Sequence, residues 1–152
     1  MRRFTDALQS IAVTLWVGGL WTIGYIVAPL LFSQLGDRAL AGMIAGRLFS
    51  LIAWIGIACA LYLLAFRVVR DGAAVWRQGF FWTVVVMLAL VLAGEFGVQP
   101  VMAALKAQAL PKQVMESVLR DRFATWHGVS SALYVVQSTL GAALAILLGR
   151  VK

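Results

Sequence analysis

Charged residues and cysteines are both scarce in this 152-residue sequence. Only 12% of the residues are charged and 62% are hydrophobic, with a mean hydropathy of +0.92. A soluble domain usually has about 25% charged residues. A soluble chain of this length could not hide so much apolar surface, whereas a bilayer removes the need to hide it. The lone Cys59 excludes a disulfide framework and a CxxC metal site. The composition therefore predicts an integral membrane protein.

The sequence also lacks the residue patterns of several functional classes. His127 is its one histidine, and the second histidine, acidic pair or nucleophile group of a hydrolase or redox enzyme is missing. No strand is predicted, so no Walker or Rossmann glycine pattern follows one. The net charge of +7 comes from Lys and Arg at predicted helix ends and loops, where anionic lipid headgroups favour them. We therefore expect neither an enzyme nor a nucleic-acid-binding protein.

Four apolar stretches are long enough to cross a bilayer, which takes about 20 residues. They cover residues 8–31, 48–66, 80–102 and 126–148. The first is too long for the apolar core of a signal peptide and no A-x-A site follows it, so we expect it to be retained. The sequence predicts one all-α domain over residues 1–152, a four-helix transmembrane bundle in contact with lipid.

The second and fourth helices are predicted to begin ahead of their apolar stretches. Asp37 suits an N-cap, and Leu40 begins a series of apolar residues at helical spacing. Pro111 suits a first helical turn, and Met115 begins a similar series that reaches Trp126. Both helices should therefore carry amphipathic extensions on the same side of the bilayer.

The first and third helices are predicted to break at prolines. Val27-Ala28-Pro29-Leu30 resembles Val98-Gln99-Pro100-Val101, and each is followed by a polar stretch and a long helix. Two pseudo-repeated helix hairpins would explain this match, and so would the common composition of membrane helices. Transporter folds often contain such halves, although other membrane proteins do too.

Small residues at helical spacing predict close packing within the bundle, because they let helix backbones approach each other in lipid. The stripes are Thr14, Gly18 and Thr22 on the first helix, Ala89, Ala93 and Gly97 on the third, and Gly141, Ala145 and Gly149 on the fourth. Most of the six tryptophans, Trp16 among them, suit the interfacial belts of a membrane protein.

Polar side chains within the predicted helices gather toward one end of the bundle. Glu95 would cost about 3 kcal/mol in a membrane helix, so it should face the bundle interior, with Gln99 one turn further on. His127 begins a polar stripe on the fourth helix that includes Ser130, Ser131, Tyr134, Gln137 and Ser138. Because the third helix ends where the fourth begins, we expect Glu95 and His127 to lie on the same membrane side, in direct or water-bridged contact.

The candidate binding cluster is Glu95, Gln99, His127, Ser130, Ser131 and Tyr134. The structural alternative is a neutral Glu95 that only holds helices together by a hydrogen bond.

Metal binding is a weaker alternative. His127 could ligate haem with Met87 or Met102 as the second axial ligand. Met43, Met102, Met115 and His127 could hold Cu(I), which favours soft ligands, but no Met-x-x-Met cluster supports this. We predict no cofactor and keep haem or copper as an alternative, since methionines more often fill a bundle.

Several segments together resemble the bacterial domain of unknown function 4149 family. They are Trp16-Val17-Gly18-Gly19, Ala28-Pro29-Leu30-Leu31-Phe32, Gly46-Arg47-Leu48-Phe49, Gln99-Pro100-Val101-Met102 and Trp126-His127-Gly128-Val129-Ser130-Ser131. The most specific is the His-Gly-x-Ser segment from His127 to Ser130; related members often carry Asn where this chain has Tyr134. The family groups with the eukaryotic transmembrane protein 205. The resemblance implies four membrane helices and no particular reaction, while drug resistance associated with that relative implies efflux or trafficking.

Two functional hypotheses carry equal weight. One is a small transporter or permeation-type protein in which Glu95 or His127 binds or relays a proton or cation. The other is a non-catalytic accessory or assembly subunit that binds a membrane-protein partner or a second copy of itself.

We expect a multi-pass protein of the bacterial inner membrane with both termini in the cytoplasm. Seven basic residues then lie on the cytoplasmic side and six on the other, and the orientation is favoured because the seven lie close to helix ends, where the positive-inside rule acts. The seven are Arg2, Arg3, Arg67, Arg70, Arg77, Arg150 and Lys152, and the six are Arg38, Arg47, Lys106, Lys112, Arg120 and Arg122.

Overall fold

Four membrane-spanning helical stretches make up the fold. The computed structural model describes the backbone of residues 2–108 and 117–150, and the side chains of residues 4–105 and 121–150. Every regular element in these ranges is helical. The four spans are Phe4–Gln34, Arg38–Arg77, Gly79–Leu105 and Asp121–Arg150, each long and apolar enough to cross a bilayer. The predicted all-α, four-helix bundle is confirmed, and the chain is a multi-pass membrane protein.

The first and third spans each contain a π-helical segment, and the second span ends in a 3₁₀ turn. The elements in chain order are α1 (Arg2–Trp21), a π-helical segment (Thr22–Val27), α2 (Ala28–Gln34), α3 (Arg38–Asp71), a 3₁₀ turn (Gly72–Arg77), α4 (Gly79–Leu92), a second π-helical segment (Ala93–Val98), α5 (Gln99–Gln108) and α6 (Ser117–Arg150). Helices α3 and α6 have 34 residues each. At 1.5 Å per residue they are about 51 Å long, against about 30 Å for the hydrocarbon core. Both therefore exceed the bilayer core, as predicted.

The start of α3 confirms the N-cap predicted at Asp37. Its Oδ1 accepts hydrogen bonds from the backbone N–H groups of Ala39 at 2.8 Å and Leu40 at 3.2 Å. These are donors that the first helical turn leaves without a partner. The predicted start of the fourth helix at Pro111 and its apolar series from Met115 lie outside the described residues.

The two π-helical segments occupy matching positions in the first and third spans. Each has six residues and ends two residues before a proline, Pro29 or Pro100. A proline ring clashes with the carbonyl four residues earlier, which is here Tyr25 or Phe96, inside the π segment. A π turn widens the helix at that carbonyl, so the prolines explain where the segments occur. The pseudo-repeat predicted from Pro29 and Pro100 thus has a matching backbone geometry in both halves.

Each span packs against two neighbours, so that the four helices form a ring. Helix α1 contacts α3 and α6, and α4 contacts the same two helices. The dry core fills the end of the bundle that carries Arg2, Arg150 and the 3₁₀ turn. It consists of Ala12, Val13, Trp16, Val17, Leu20, Cys59, Ala60, Leu63, Phe80, Val84, Met87, Leu144 and Leu148. The opposite end, which carries residues 35–37, we call the far end.

A buried arginine closes the core where the second and third spans meet. Arg67 is 2% exposed, its guanidinium carbon lies 4.7 Å from the Phe80 ring centroid, and its Nη1 lies 3.4 Å from Asp71 Oδ2. Gln78 Nε2 donates to the same carboxylate oxygen at 2.9 Å. A buried cation is tolerated when it is paired and desolvation is offset by such contacts. Arg67 is therefore part of the folded core, although the sequence placed it with basic residues near the membrane surface.

The small-residue stripes of the first and third spans do not pack inside the bundle, which corrects the prediction. Thr14, Gly18, Thr22, Ala89, Ala93 and Gly97 are all exposed on the outer surface of the chain. Other glycines make the close approaches. A Cβ at Gly56 would overlap Trp16, and one at Gly141 would lie 3.3 Å from Val17 Cγ1. On the fourth span Gly141 alone of its stripe is buried.

Trp16 also departs from the prediction, since its side chain is 0% exposed and lies in the core instead of an interfacial belt. The glycine opposite it, Gly56, makes room for the indole ring. Spacing along one helix shows which residues share a face, but not which face the other helices cover.

Candidate functional site

A cavity of about 330 Å³ lies between the four spans, on the far-end side of the dry core. All six residues of the predicted cluster line it: Glu95, Gln99, His127, Ser130, Ser131 and Tyr134. Every span contributes lining residues, among them Trp16 from the first and Phe49 from the second. The structure thus brings the predicted polar residues to one cavity, at the end of the bundle where the sequence placed them.

Glu95 projects from the second π segment toward the second span. It is half-buried, and its Oε1 accepts a hydrogen bond of 2.5 Å from Ser50 Oγ. The described hydrogen bonds and ion pairs include none between Glu95 and His127, so the direct form of the expected contact is not formed, and the water-bridged form stays a prediction. Ser50 was not among the residues predicted from the sequence. The one feature that pointed to it is a hydroxyl group directly after Phe49 in a mostly apolar stretch. Helical serines often hydrogen-bond to their own backbone and not to another helix.

Tyr134 joins the first, second and fourth spans at the middle of the cavity. Its hydroxyl donates a hydrogen bond to the Leu20 carbonyl. Its ring covers Gly24, where a Cβ would overlap it, and meets the Phe49 ring edge-on at 5.1 Å between centroids. Gly24 belongs to the first π segment. Each π segment is therefore in contact with a side chain of another span: Gly24 with Tyr134, which lines the cavity, and Glu95 with Ser50, which does not.

His127 lies at the far-end rim of the cavity. Its side chain is exposed, and its ring stacks on Phe123 with 6.1 Å between centroids and 7° between planes. Its backbone carbonyl accepts a hydrogen bond from Ser131 Oγ at 2.9 Å. His127 is accessible at the rim, whereas the Glu95 carboxylate is held further inside by Ser50.

Two buried polar side chains line the deep end of the cavity. Gln137 is 5% exposed, and neither its Nε2 nor its Oε1 has a hydrogen-bond partner within the described part of the chain. Trp16 Nε1 is likewise unpartnered there. Nearby, Trp21 Nε1 donates to the Ser138 carbonyl at 3.2 Å and ties the first span to the fourth. Gln137 belonged to the predicted polar stripe but not to the predicted binding cluster.

The methionines considered as metal ligands lie apart from His127. Met87 is fully buried in the dry core, Met102 is buried but does not line the cavity, and Met43 is exposed on α3. Met115 lies outside the described residues. Over the ranges with described side chains, no group of three or more His, Cys, Asp or Glu residues could hold a metal ion.

The prolines predicted as helix breaks, Pro29 and Pro100, are both exposed and do not line the cavity. Their effect on the site is indirect. Each sets the position of a π segment, and the π segments supply Gly24, Tyr25, Gly94 and Glu95 to the cavity.

Comparison with known protein families is decisive on membership. A family model for a domain of unknown function, DUF4149, matches residues 11–111, which is about two thirds of the chain. The chain belongs to the DUF4149 family. The match includes the Trp-x-Gly-Gly and Pro-containing segments of the first three spans but ends before the His127–Ser130 segment. No curated protein and no solved structure matches this DUF4149 chain, so the likeness to transmembrane protein 205 stays a prediction.

Proposed function

We propose that this DUF4149 protein is a small transport or permeation-type protein whose ligand occupies the cavity between its four spans. Glu95 and His127 bind or relay a proton or another cation along that path. The observation that carries this proposal is the cavity itself, which gathers polar side chains from separate helices into one intramembrane site. Ionisable groups within membrane helices usually mark such pathways, because burying them has a high free-energy cost.

The matching π segments support the same proposal. Helix interruptions at corresponding positions of two repeated halves are a pointer to the binding site of a transporter, and π turns often occur at functional sites. Here both interruptions border one cavity, through Gly24 in the first span and Glu95 in the third. The first and third spans run in the same direction, so the two hairpins would be related by an axis along the membrane normal.

Proton uptake into liposomes tests the proposal. The purified protein is reconstituted with K⁺ inside, valinomycin sets the membrane potential, and the quenching of an acridine dye reports proton entry. Glu95→Gln keeps the shape and the Ser50 contact but cannot ionise, and His127→Ala removes the imidazole. We expect each substitution to lower the initial rate to that of protein-free liposomes.

Asp121→Asn is the matched control, because Asp121 is an exposed acid on α6 that does not line the cavity. It should keep the wild-type rate. Equal proton uptake by the wild type, Glu95→Gln and His127→Ala would contradict the proposal.

The proposed location is the bacterial inner membrane with both termini in the cytoplasm. The exposed basic residues Arg70 and Arg77 near the turn between the second and third spans support this orientation, since positive charge next to span ends favours the cytoplasmic side. A relation to transmembrane protein 205 would be consistent with efflux or trafficking.

A second candidate function is that of an accessory or assembly subunit. The exposed small-residue stripes of the first and third spans favour it, because such stripes let another membrane helix approach closely. Thr14, Gly18 and Thr22 face outward on one side of the bundle, and Ala89, Ala93 and Gly97 on another. Purification in a mild detergent should then recover a homo-oligomer or a stable partner, and recovery as a lone monomer would count against this candidate.

A further inference from the structure

The deep end of the cavity contains a polar side chain whose hydrogen-bonding groups the protein itself does not use. Gln137 is 5% exposed and lines the cavity, and both its amide atoms lack partners in the described part of the chain. An unpaired amide is costly to bury. A glutamine that only joined helices would be bonded to a neighbouring span, and Gln137 is not.

Among the described residues Trp16 Nε1 has no hydrogen-bond partner either, but it packs against Gly56 of the second span.

The amide of Gln137 determines which group it can bind. Nε2 donates hydrogen bonds and Oε1 accepts them. A ligand group that pairs with both atoms must therefore carry an acceptor and a donor side by side. A carboxylate only accepts and an ammonium only donates, and either would leave one amide atom unpaired. The lining residues closest to Gln137 along the chain are Tyr134 and Val135, and those at the edge of the core are Trp16 and Leu20; none carries a charge. An anionic head would therefore be desolvated here without a counter-charge.

The walls of the cavity indicate the rest of the ligand. They are largely aliphatic and aromatic, with Phe49, Ile52, Leu90, Val91 and Leu133 among them. The volume of about 330 Å³ is at the lower end of the range for small-molecule sites, roughly 300–1,000 Å³. The ionisable His127 lies ten residues before Gln137 on α6, about 15 Å along the axis. The deep end is thus separate from the charged rim.

We propose that Gln137 is a binding residue for a small neutral molecule with an apolar body and a head that both donates and accepts hydrogen bonds, such as a carboxamide or a protonated carboxylic acid. This inference rests on the proposed function, because it names the class of ligand that the same cavity takes. The carboxamide or acid carbonyl accepts from Nε2, and its N–H or O–H donates to Oε1.

Benzamide is a suitable probe, since it has this head on an apolar ring and dissolves in water. The full-length protein in lipid nanodiscs is titrated with benzamide, and binding is followed by saturation-transfer NMR and by the melting temperature. Benzenesulfonate has the same ring with an anionic head. We expect benzamide to bind and raise the melting temperature, and benzenesulfonate to do neither.

Gln137→Met keeps the side-chain length and removes both polar atoms. It should weaken benzamide binding about tenfold, the equivalent of one or two hydrogen bonds, and raise the melting temperature of the ligand-free protein. Ser138→Ala is the matched control. Ser138 is buried next to Gln137 in the chain, its Oγ has no hydrogen-bond partner among the described side chains, and it does not line the cavity. This variant should therefore bind benzamide like the wild type.

Three outcomes would overturn the inference: no benzamide binding by the wild type, unchanged binding by Gln137→Met, or a lower melting temperature of ligand-free Gln137→Met, which indicates a structural hydrogen bond. Benzamide binding does not require transport, so the proposed function and the role of Gln137 can each be wrong while the other holds. Benzamide binding without Glu95-dependent proton uptake removes only the proposed function, and proton uptake without benzamide binding removes only the role of Gln137.

Discussion

At the scale of single residues, the contact between Gly24 and Tyr134 determines the shape of the cavity. The Tyr134 ring occupies the space that a Cβ at Gly24 would need, and the hydroxyl reaches the Leu20 carbonyl one turn earlier. The contact involves aromatic carbons of a side chain that is wedged between three spans. It therefore leaves little room for the ring to move without breaking the hydrogen bond.

We predict that Gly24→Ala lowers the free energy of unfolding by about 1–3 kcal/mol, the usual cost of an extra methyl group in a packed interior. Thermal or denaturant unfolding in mixed micelles measures this. Gly97→Ala is the control, because Gly97 lies in the second π segment and a Cβ there meets nothing within 4 Å. Similar stability of Gly24→Ala and Gly97→Ala would contradict the packing described for Tyr134.

The polar residues of the site could be predicted from the sequence to different extents. Glu95 and His127 were identifiable because ionisable groups are rare and costly within apolar helices. Ser50 was not, because a helical serine can bond its own backbone and a single hydroxyl among apolar residues has no distinctive pattern. The hydrogen bond between Ser50 and Glu95 depends on how two spans are rotated against each other, which one sequence does not specify.

At the scale of helices, the prolines and the π segments act together. Pro100 cannot donate a backbone hydrogen bond, and its ring would clash with the Phe96 carbonyl in a regular α-helix. The π turn from Ala93 to Val98 widens the helix at that carbonyl and carries Glu95. The geometry of the binding site therefore depends on a residue that does not line it.

Pro100→Ala supplies the missing N–H group and removes the clash, so the third span should become a regular α-helix. We expect amide hydrogen exchange from Ala93 to Val98 to slow by about five- to tenfold, as one added hydrogen bond would produce. Hydrogen-exchange mass spectrometry in nanodiscs measures this. Pro29→Ala is the matched control and should slow exchange in Thr22–Val27 alone. Unchanged exchange in both variants would show that the prolines do not cause the π segments.

Helix existence was more predictable than helix packing. The four spans follow from apolar length, and the start of α3 follows from the side chain of Asp37, because these are local properties. The packing predicted from the small-residue stripes was wrong. Thr14 and Ala89 do share a helix face with other small residues, but the other helices of the bundle do not cover those faces. The close approaches at Gly56 and Gly141 depend instead on the partner helix, through Trp16 and Val17.

At the scale of the whole molecule, the bundle is divided into a dry end and an end with a polar cavity. Trp16 and Leu20 belong to both the core and the cavity lining, so they form the boundary. The sequence predicted that polar groups gather toward one end, since the third helix finishes where the fourth begins. It did not predict that Trp16 closes the cavity, because tryptophans of membrane proteins are enriched at the interfaces. A ligand that enters past His127 therefore reaches a cavity whose deep end is closed in this conformation.

The side of the membrane that the cavity end faces is tested by cysteine labelling. With Cys59→Ala as the background, Gly36→Cys lies in the exposed loop at the far end and Ala73→Cys in the exposed 3₁₀ turn at the other. Because the exposed Arg70 and Arg77 lie close to Ala73 along the chain, the positive-inside rule favours the proposed cytoplasmic location of that turn. We expect a membrane-impermeant maleimide to label Gly36→Cys in intact cells, and Ala73→Cys only after the cells are broken. The opposite labelling pattern would show the reverse orientation, with the cavity end facing the cytoplasm. Labelling of both variants in intact cells would contradict a bundle whose alternate loops lie on opposite sides of the membrane.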